Sequence, residues 1–223
     1  MNAPVGVVVL ISGRGSNLRA IIDEINAGRL PVELRAVISN NPQAAGLVYA
    51  KVAGIPTEII DHRDFPTRAQ FDQALMQAID AYQPRLVALA GFMRILGEKF
   101  IAHYAGRLMN IHPSLLPNFP GLNTHARAIA SGAKFHGASA HFVTHDVDTG
   151  PIIIQAKVPV LAQDTPESLA ARVLEQEHRI YPLALRWFAK NRLTVDGKKV
   201  LLDGAQRPEQ GLVATESAAG EFS

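Results

Sequence analysis

Short β-branched apolar runs alternate along this chain with longer stretches in which apolar residues recur every three or four positions. The runs Val5–Ser12, Val32–Ser39, Thr57–Ile60, Leu86–Ala90 and Leu108–His112 read as strands. Several are apolar on both faces, "VGVVVLIS" above all, as parallel strands covered on both sides must be. Between them the spacing predicts helices at Asn17–Asn26, Gln43–Ala53, Thr67–Tyr82 and Gly97–Tyr104, with Gly28, Gly54 and Pro84 as punctuation. The order is a run of βα units.

After Pro113 the texture changes. A proline-rich loop leads to a short helix near Thr124–Ser131, then to two strands, Ala138–Val143 and Ile152–Val158, which flank the loop "THDVDTGP". A long helix is expected from Thr165 to about Asn191, opened by a cap at Thr165 with Glu167 and Ser168 in its first turn. "RLTVDGKKVLLD" reads as a hairpin turning at Asp196-Gly197. The fold class that follows is α/β: a Rossmann-like open, mainly parallel sheet flanked by helices, to which the C-terminal part adds strands and a long helix. One domain is expected over residues 1–204, followed by a loosely ordered polar tail over 205–223.

Composition narrows the function. With 223 residues, 48% hydrophobic and 19% charged, the chain can bury one well-formed core. Lys and Arg number 22 against 20 Asp and Glu, with no clustered basic run interleaved with aromatics, so no nucleic-acid partner is expected. The absence of cysteine excludes disulfides, thiol nucleophiles and thiolate metal sites. The apolar run Val7–Ile11 has no basic region before it and is too short for a signal peptide or a membrane span. A soluble cytoplasmic protein acting on small molecules, with no membrane partner, is the expectation.

Two places carry candidate chemistry. "ISGRGSNLRAII" joins a buried strand to a helix, where backbone amides and the helix dipole attract an anion. The dinucleotide pattern fails at Leu18, and "SNN" at the end of the second strand lacks the acid that would hold a ribose diol. No Gly-Lys-Ser/Thr follows either. Gly13, Gly15, Ser16 and Asn17 therefore suit a single phosphate, the plainer alternative being a tight turn capped by Ser16 or Asn17.

The second place is "NIHPSLLPNFPG". On a strand ending at His112, Asn110 and His112 share a face, because side chains alternate. The carboxyl end of a parallel strand borders the ligand crevice. An amide donor beside a titratable imidazole suits acyl-type transfer, in which an oxyanion develops and protons must move. A carboxylate would complete the pair, and Asp148 is the candidate, with Asp146 competing on spacing. "HGASAHFVTHDVD" groups His136, His141, His145, Asp146 and Asp148, yet no HExxH pattern occurs and no metal site is expected. No G-x-S-x-G elbow is present for serine hydrolysis.

Taken together, "VVVLISGRGSNLRAIID", "LAGFMRIL", "GRLMNIHPSLLPNFPGL", "HGASAHFVTHDVDTGPIIIQ" and "EQEHRIYP" resemble the phosphoribosylglycinamide formyltransferase family, in the family's order, from about Val7 to Gly211. The resemblance implies transfer of a formyl group from 10-formyltetrahydrofolate, as co-substrate, to the glycine amine of N1-(5-phosphoribosyl)glycinamide in purine synthesis, with no metal. It implies that Asn110, His112 and Asp148 are the catalytic trio, and that Gly15, Ser16, Asn17 and Glu177 hold the phosphoribosyl substrate. It further implies a folate side made by Arg68, Met93, Arg94, Ile95, Leu96, Asn110, Thr144, His145, Asp146, Val147 and Asp148. Two positions depart from the family pattern: Arg14 adds a positive charge beside the phosphate loop, and Thr149 stands where a second glycine is expected. A methionyl-tRNA formyltransferase or a formyltetrahydrofolate hydrolase would share the trio but need a further domain. A non-catalytic folate or nucleotide sensor is the alternative of another class. The expected assembly is a monomer or a homodimer.

Overall fold

In the computed structural model, which describes residues 3–213, the elements follow in this order: β1 (Val5–Ile11), α1 (Ser16–Asn26), β2 (Val32–Ser39), α2 (Leu47–Val52), β3 (Thr57–Ile59), α3 (Arg68–Ala81), β4 (Leu86–Leu89), α4 (Glu98–His103) and β5 (Leu108–His112). Then come α5 (Thr124–Ala130), β6 (Phe135–Phe142), β7 (Ile152–Pro159), α6 (Pro166–Ala189), β8 (Leu193–Asp196), β9 (Lys199–Leu202) and β10 (Gly211–Val213). Two short 3-10 turns, His62–Asp64 and Pro208–Gln210, were not foreseen.

The strands form one sheet in the order β3-β2-β1-β4-β5-β6-β7-β9-β8, with β10 paired to β7. From β3 to β5 all neighbours are parallel; β6 runs antiparallel to both β5 and β7. This is the Rossmann-like, mainly parallel sheet that the apolar runs imply.

Alternation along β1 builds two cores. Val5, Val7, Val9 and Ile11 enter one with α1 and α6, whereas Val8 and Leu10 enter the other with α3 and α4. Leu18, Ile21 and Ile22 fasten α1 to the first core; burying each such side chain contributes roughly 1.5–3 kcal/mol. In α6, Leu169, Val173, Ile180 and Ala184 follow helical spacing along the buried face, and the Tyr181 hydroxyl reaches the carbonyls of Leu89 (2.9 Å) and Met109 (3.1 Å). These contacts bring the middle of α6 over the carboxyl end of β4 and the start of β5.

Three expectations change. The helix expected over Gln43–Ala53 shortens to α2, because Asn41–Gly46 winds through turns that bring the Gly46 backbone against Gly15. The cap of α1 is neither Ser16 nor Asn17 but Gly15, at φ 71°, with no side-chain cap bond. The tail does not loosen at residue 205: Gln210 Nε2 donates to the carbonyls of Ile153 (3.0 Å) and Val200 (2.9 Å), and Gly211–Val213 adds to β7. An exposed edge of β7 was there to be paired, and the polar composition of the tail hid it. The rest of the expected tail, 214–223, lies outside the described residues. No helix among the described residues is long and apolar enough to cross a membrane.

Candidate active site

β1, β4 and β5 are parallel neighbours, so their carboxyl ends lie together along one edge of the sheet. At the end of β5 the expected trio comes together. His112, 6% exposed, presents Nδ1 to Asp148 Oδ2 at 3.3 Å, and its Nε2 donates to the Phe119 carbonyl at 3.1 Å. Both ring nitrogens thus face oxygen. Asp148 Oδ2 also accepts from the Gly121 backbone N–H at 2.8 Å, which ties the β6–β7 loop to the proline-rich one. Asp146, its competitor on spacing, is exposed and meets His145 instead.

Asp148 sits at φ 55°, in the left-handed region that Asp tolerates better than most side chains. Two residues on, a Cβ on Gly150 would lie 1.7 Å from the Phe142 carbonyl oxygen, so only glycine lets this loop close. Thr149, the departure from the family pattern, donates through Oγ1 to the Asp146 carbonyl (3.0 Å) and lies 3.3 Å from Thr144 Oγ1. It fastens the loop where a second glycine would free it.

One residue of this centre escaped the sequence reading, which weighed His141 only as a metal ligand. The β5–β6 register sets His141 opposite Asn110. His141 is 1% exposed; its Nδ1 donates to the Phe142 carbonyl at 2.9 Å, leaving Nε2 to accept from Asn110 Nδ2 at 3.2 Å. Burial pushes this imidazole below its ordinary value, against the Phe142 carbonyl and the Asp148 carboxylate that favour its charged form. A neutral His141 therefore orients the Asn110 amide, leaving its second N–H free for a ligand. Antiparallel pairing was the missing signal, since a lone sequence does not reveal which residue of β6 faces Asn110. Among the described residues no group of three or more side chains is arranged to hold a metal.

The glycine loop follows β1, which β4 separates from β5. Gly15 and Gly46 touch backbone to backbone, where a Cβ on Gly15 would be 2.5 Å from Gly46 Cα, and this contact shapes the turn. With no side-chain cap on α1, its first-turn N–H groups are left to an anion. Asn17 is buried, donates from Nδ2 to Glu177 Oε2 at 2.7 Å, and has no partner for its buried Oδ1. Burial pushes the Glu177 carboxyl up to about 7, against the Asn17 hydrogen bond and the Arg14 charge. Here an unfilled acceptor and a proton-poised carboxyl meet, which suits a ligand rich in N–H and O–H donors.

The folate-side expectations fall on two walls. On one, Met93, Arg94 and Ile95 are exposed, while Leu96 turns into the second core. Asp72 of α3 accepts from the Gly97 N–H at 2.8 Å, holding the end of this run next to Arg68. On the other wall, Thr144 to Val147 are exposed, and His145 Nε2 lies 2.8 Å from Glu98 at the start of α4. Thr144 and His145 also line a cavity of about 660 Å³, walled by Ile101, Val143 and the β8–β9 turn, which Arg68 and Met93–Leu96 do not reach.

A family model described as formyl transferase matches residues 5–185. The chain is 51% identical over 210 residues to phosphoribosylglycinamide formyltransferase of Escherichia coli (strain K12), covering 94% of this chain and 99% of that protein. This chain belongs to the phosphoribosylglycinamide formyltransferase family. A solved structure of a family member, phosphoribosylglycinamide formyltransferase from Coxiella burnetii in complex with CHES, superposes with a TM-score of 0.88 at 53% identity, over 94% of this chain and 99% of that one. A formyltetrahydrofolate deformylase from Pseudomonas syringae pv. tomato str. DC3000 shares the fold, with a TM-score of 0.83 over 89% of this chain, but at 26% identity and over only 66% of its own length. The chain thus covers 99% of the Escherichia coli transferase but 66% of the deformylase.

Proposed function

We propose that this formyltransferase moves the formyl group of 10-formyltetrahydrofolate onto the glycine amine of N1-(5-phosphoribosyl)glycinamide, a step of de novo purine synthesis, in the cytoplasm. The observation that carries the reading is His112 held between Asp148 and the Phe119 carbonyl, with Asn110 on the same strand, two strands along the sheet from the Gly13–Asn17 turn.

The 5'-phosphate sits on the Gly13–Asn17 turn, and the Asn17–Glu177 pair takes donors of the ribosyl glycinamide. The donor enters between Met93–Leu96 and Thr144–Asp148, with Arg68 and Arg94 available to its glutamate carboxylates. The neutral amine then attacks the formyl carbon: a C–N bond forms and the carbonyl π pair moves to oxygen. That oxyanion accepts from the free N–H of Asn110 and from the His112 imidazolium, whose Nε2–H turns to it from Phe119. The oxygen's pair then re-forms the carbonyl as the bond to the folate nitrogen breaks, its bonding pair stays on that nitrogen, and the nitrogen takes a proton from His112. The amine's proton leaves through water and is returned to His112, while the Asp148 carboxylate holds the ring oriented through Nδ1.

A steady-state assay with 10-formyltetrahydrofolate and glycinamide ribonucleotide tests this directly, reading formylated product and tetrahydrofolate in equal amounts. Formate release that does not need the amine substrate would assign hydrolysis instead. Ligand binding with no turnover of either kind would leave the sensor reading.

A further inference from the structure

Where β1 ends, Ser12 spends every polar atom on holding neighbouring loops. Its N–H donates to the Gly91 carbonyl (3.2 Å), and its carbonyl accepts from Asn41 Nδ2 (3.3 Å). Its hydroxyl donates to Asn40 Oδ1 at 2.6 Å and accepts from the Met93 backbone N–H at 2.7 Å. Asn40, 4% exposed, in turn meets His62 Nδ1, which lies 3.1 Å from its Nδ2 and 3.2 Å from its backbone carbonyl. The segments that follow β1, β2, β3 and β4 are thereby laced together.

The position of Ser12 matters more than the number of bonds. Gly13 follows it and opens the turn assigned to the phosphate, whereas Met93 opens the run assigned to the donor. One hydroxyl therefore joins the first residue of one binding segment to the residue just before the other. We infer that Ser12 is a positioning residue that couples the two substrate subsites, so that filling the phosphate turn improves the fit of the donor at Met93–Leu96, and the reverse. The inference rests on the reaction proposed above, because that reading assigns a ligand to each segment.

Physical chemistry supports a coupling at this point. Ser12 Oγ is a single atom acting as donor and acceptor at once, so each bond polarises the other. If phosphate draws the turn inward, the Oγ moves with it and the Met93 N–H must follow or lose its acceptor. A coupling between two equilibrium affinities is reciprocal by necessity. Both affinities should therefore change by the same factor.

The test is a binding cycle by calorimetry with glycinamide ribonucleotide and tetrahydrofolate, the product of the donor, each titrated alone and with the other saturating. For the natural sequence the affinities should rise together by about fivefold. Ser12→Ala should bring that factor close to one and raise the KM for 10-formyltetrahydrofolate about five- to tenfold, with kcat within about twofold. Ser12→Thr keeps the hydroxyl and should restore both; a role in stability alone would move the melting temperature and leave the coupling factor unchanged. Should Ser12→Ala fail to fold, Asn40→Ala removes the partner that orients the same hydroxyl and should lower the factor at least twofold. Independent binding in the natural protein, or an unchanged factor in the Ser12 or Asn40 variant, overturns the proposal. Turnover measured in parallel separates the two claims: absent turnover overturns the reaction, whereas normal turnover with unchanged coupling overturns the role of Ser12 alone.

Discussion

Replacing Glu177 by Gln should make the protein more stable and worse at binding its substrate, and both effects can be sized. Glu177 is 8% exposed, and burial raises its carboxyl from 4.5 to about 7. A folded-state value above the unfolded one means that the stability contribution is complete below about pH 4.5 and is lost as pH rises through 7. At about 1.4 kcal/mol per pKa unit, the native protein carries roughly 3 kcal/mol of buried charge by pH 8. Gln keeps an oxygen for Asn17 Nδ2 and carries no charge. For a domain of this size each kcal/mol shifts the melting temperature by about 2–4 °C. Glu177→Gln should therefore melt about 6–12 °C higher at pH 8 and close to the natural protein at pH 5. Binding should move the other way, since a hydrogen bond to a charged group contributes roughly 1.5–3 kcal/mol. The KM for glycinamide ribonucleotide should rise about 10- to 100-fold. Calorimetric melting from pH 5 to 9, on both proteins, is the assay. A difference that stays constant with pH would refute the reasoning, because it would mean that Glu177 does not titrate on folding.

Three further outcomes are expected. His141→Phe removes the acceptor that orients the Asn110 amide; a neutral hydrogen bond of about 1 kcal/mol is lost, so steady-state kinetics should show kcat falling about 5- to 10-fold with both KM values within about threefold. His136 is fully buried and held down to about 4 by that burial and by the charges of His125 and His112, so its stability contribution is present above about pH 6.5 and lost as pH falls toward 4. His136→Phe should flatten the acid side of a denaturation profile by at most about 3 kcal/mol over that window. Gly150→Ala puts a Cβ into the Phe142 carbonyl; the loop must shift, and kcat should fall at least about tenfold by the displacement of Asp148, with a lower melting temperature.

Much of this architecture is legible in the sequence because its parallel half obeys local rules. β1 is apolar on both faces since both faces are covered, and α6 opens at Thr165 because its hydroxyl and Ser168 satisfy each other's backbone N–H groups. Asn110 and His112 were readable as a pair from strand periodicity, and the family resemblance pointed to Asp148. Non-local facts were not readable. The Asn110–His141 contact depends on the register of β6 against β5, and the packing of residues 205–213 depends on an open edge of β7. The true end of β1 is another such case. Ser12 looks like the last strand residue in an alternating run, but its hydroxyl is claimed by Asn40 and Met93, 28 and 81 residues away.

The central claim is that the amide of Asn110 and the imidazolium of His112 stabilise the same oxyanion. Its most direct test is the single-turnover rate of formyl transfer by Asn110→Ala, with both substrates bound to saturation. Loss of one oxyanion donor should slow that step about 100- to 1000-fold while the bound fraction of each substrate stays near the natural value. A single-turnover rate within about threefold of the natural protein would contradict the account.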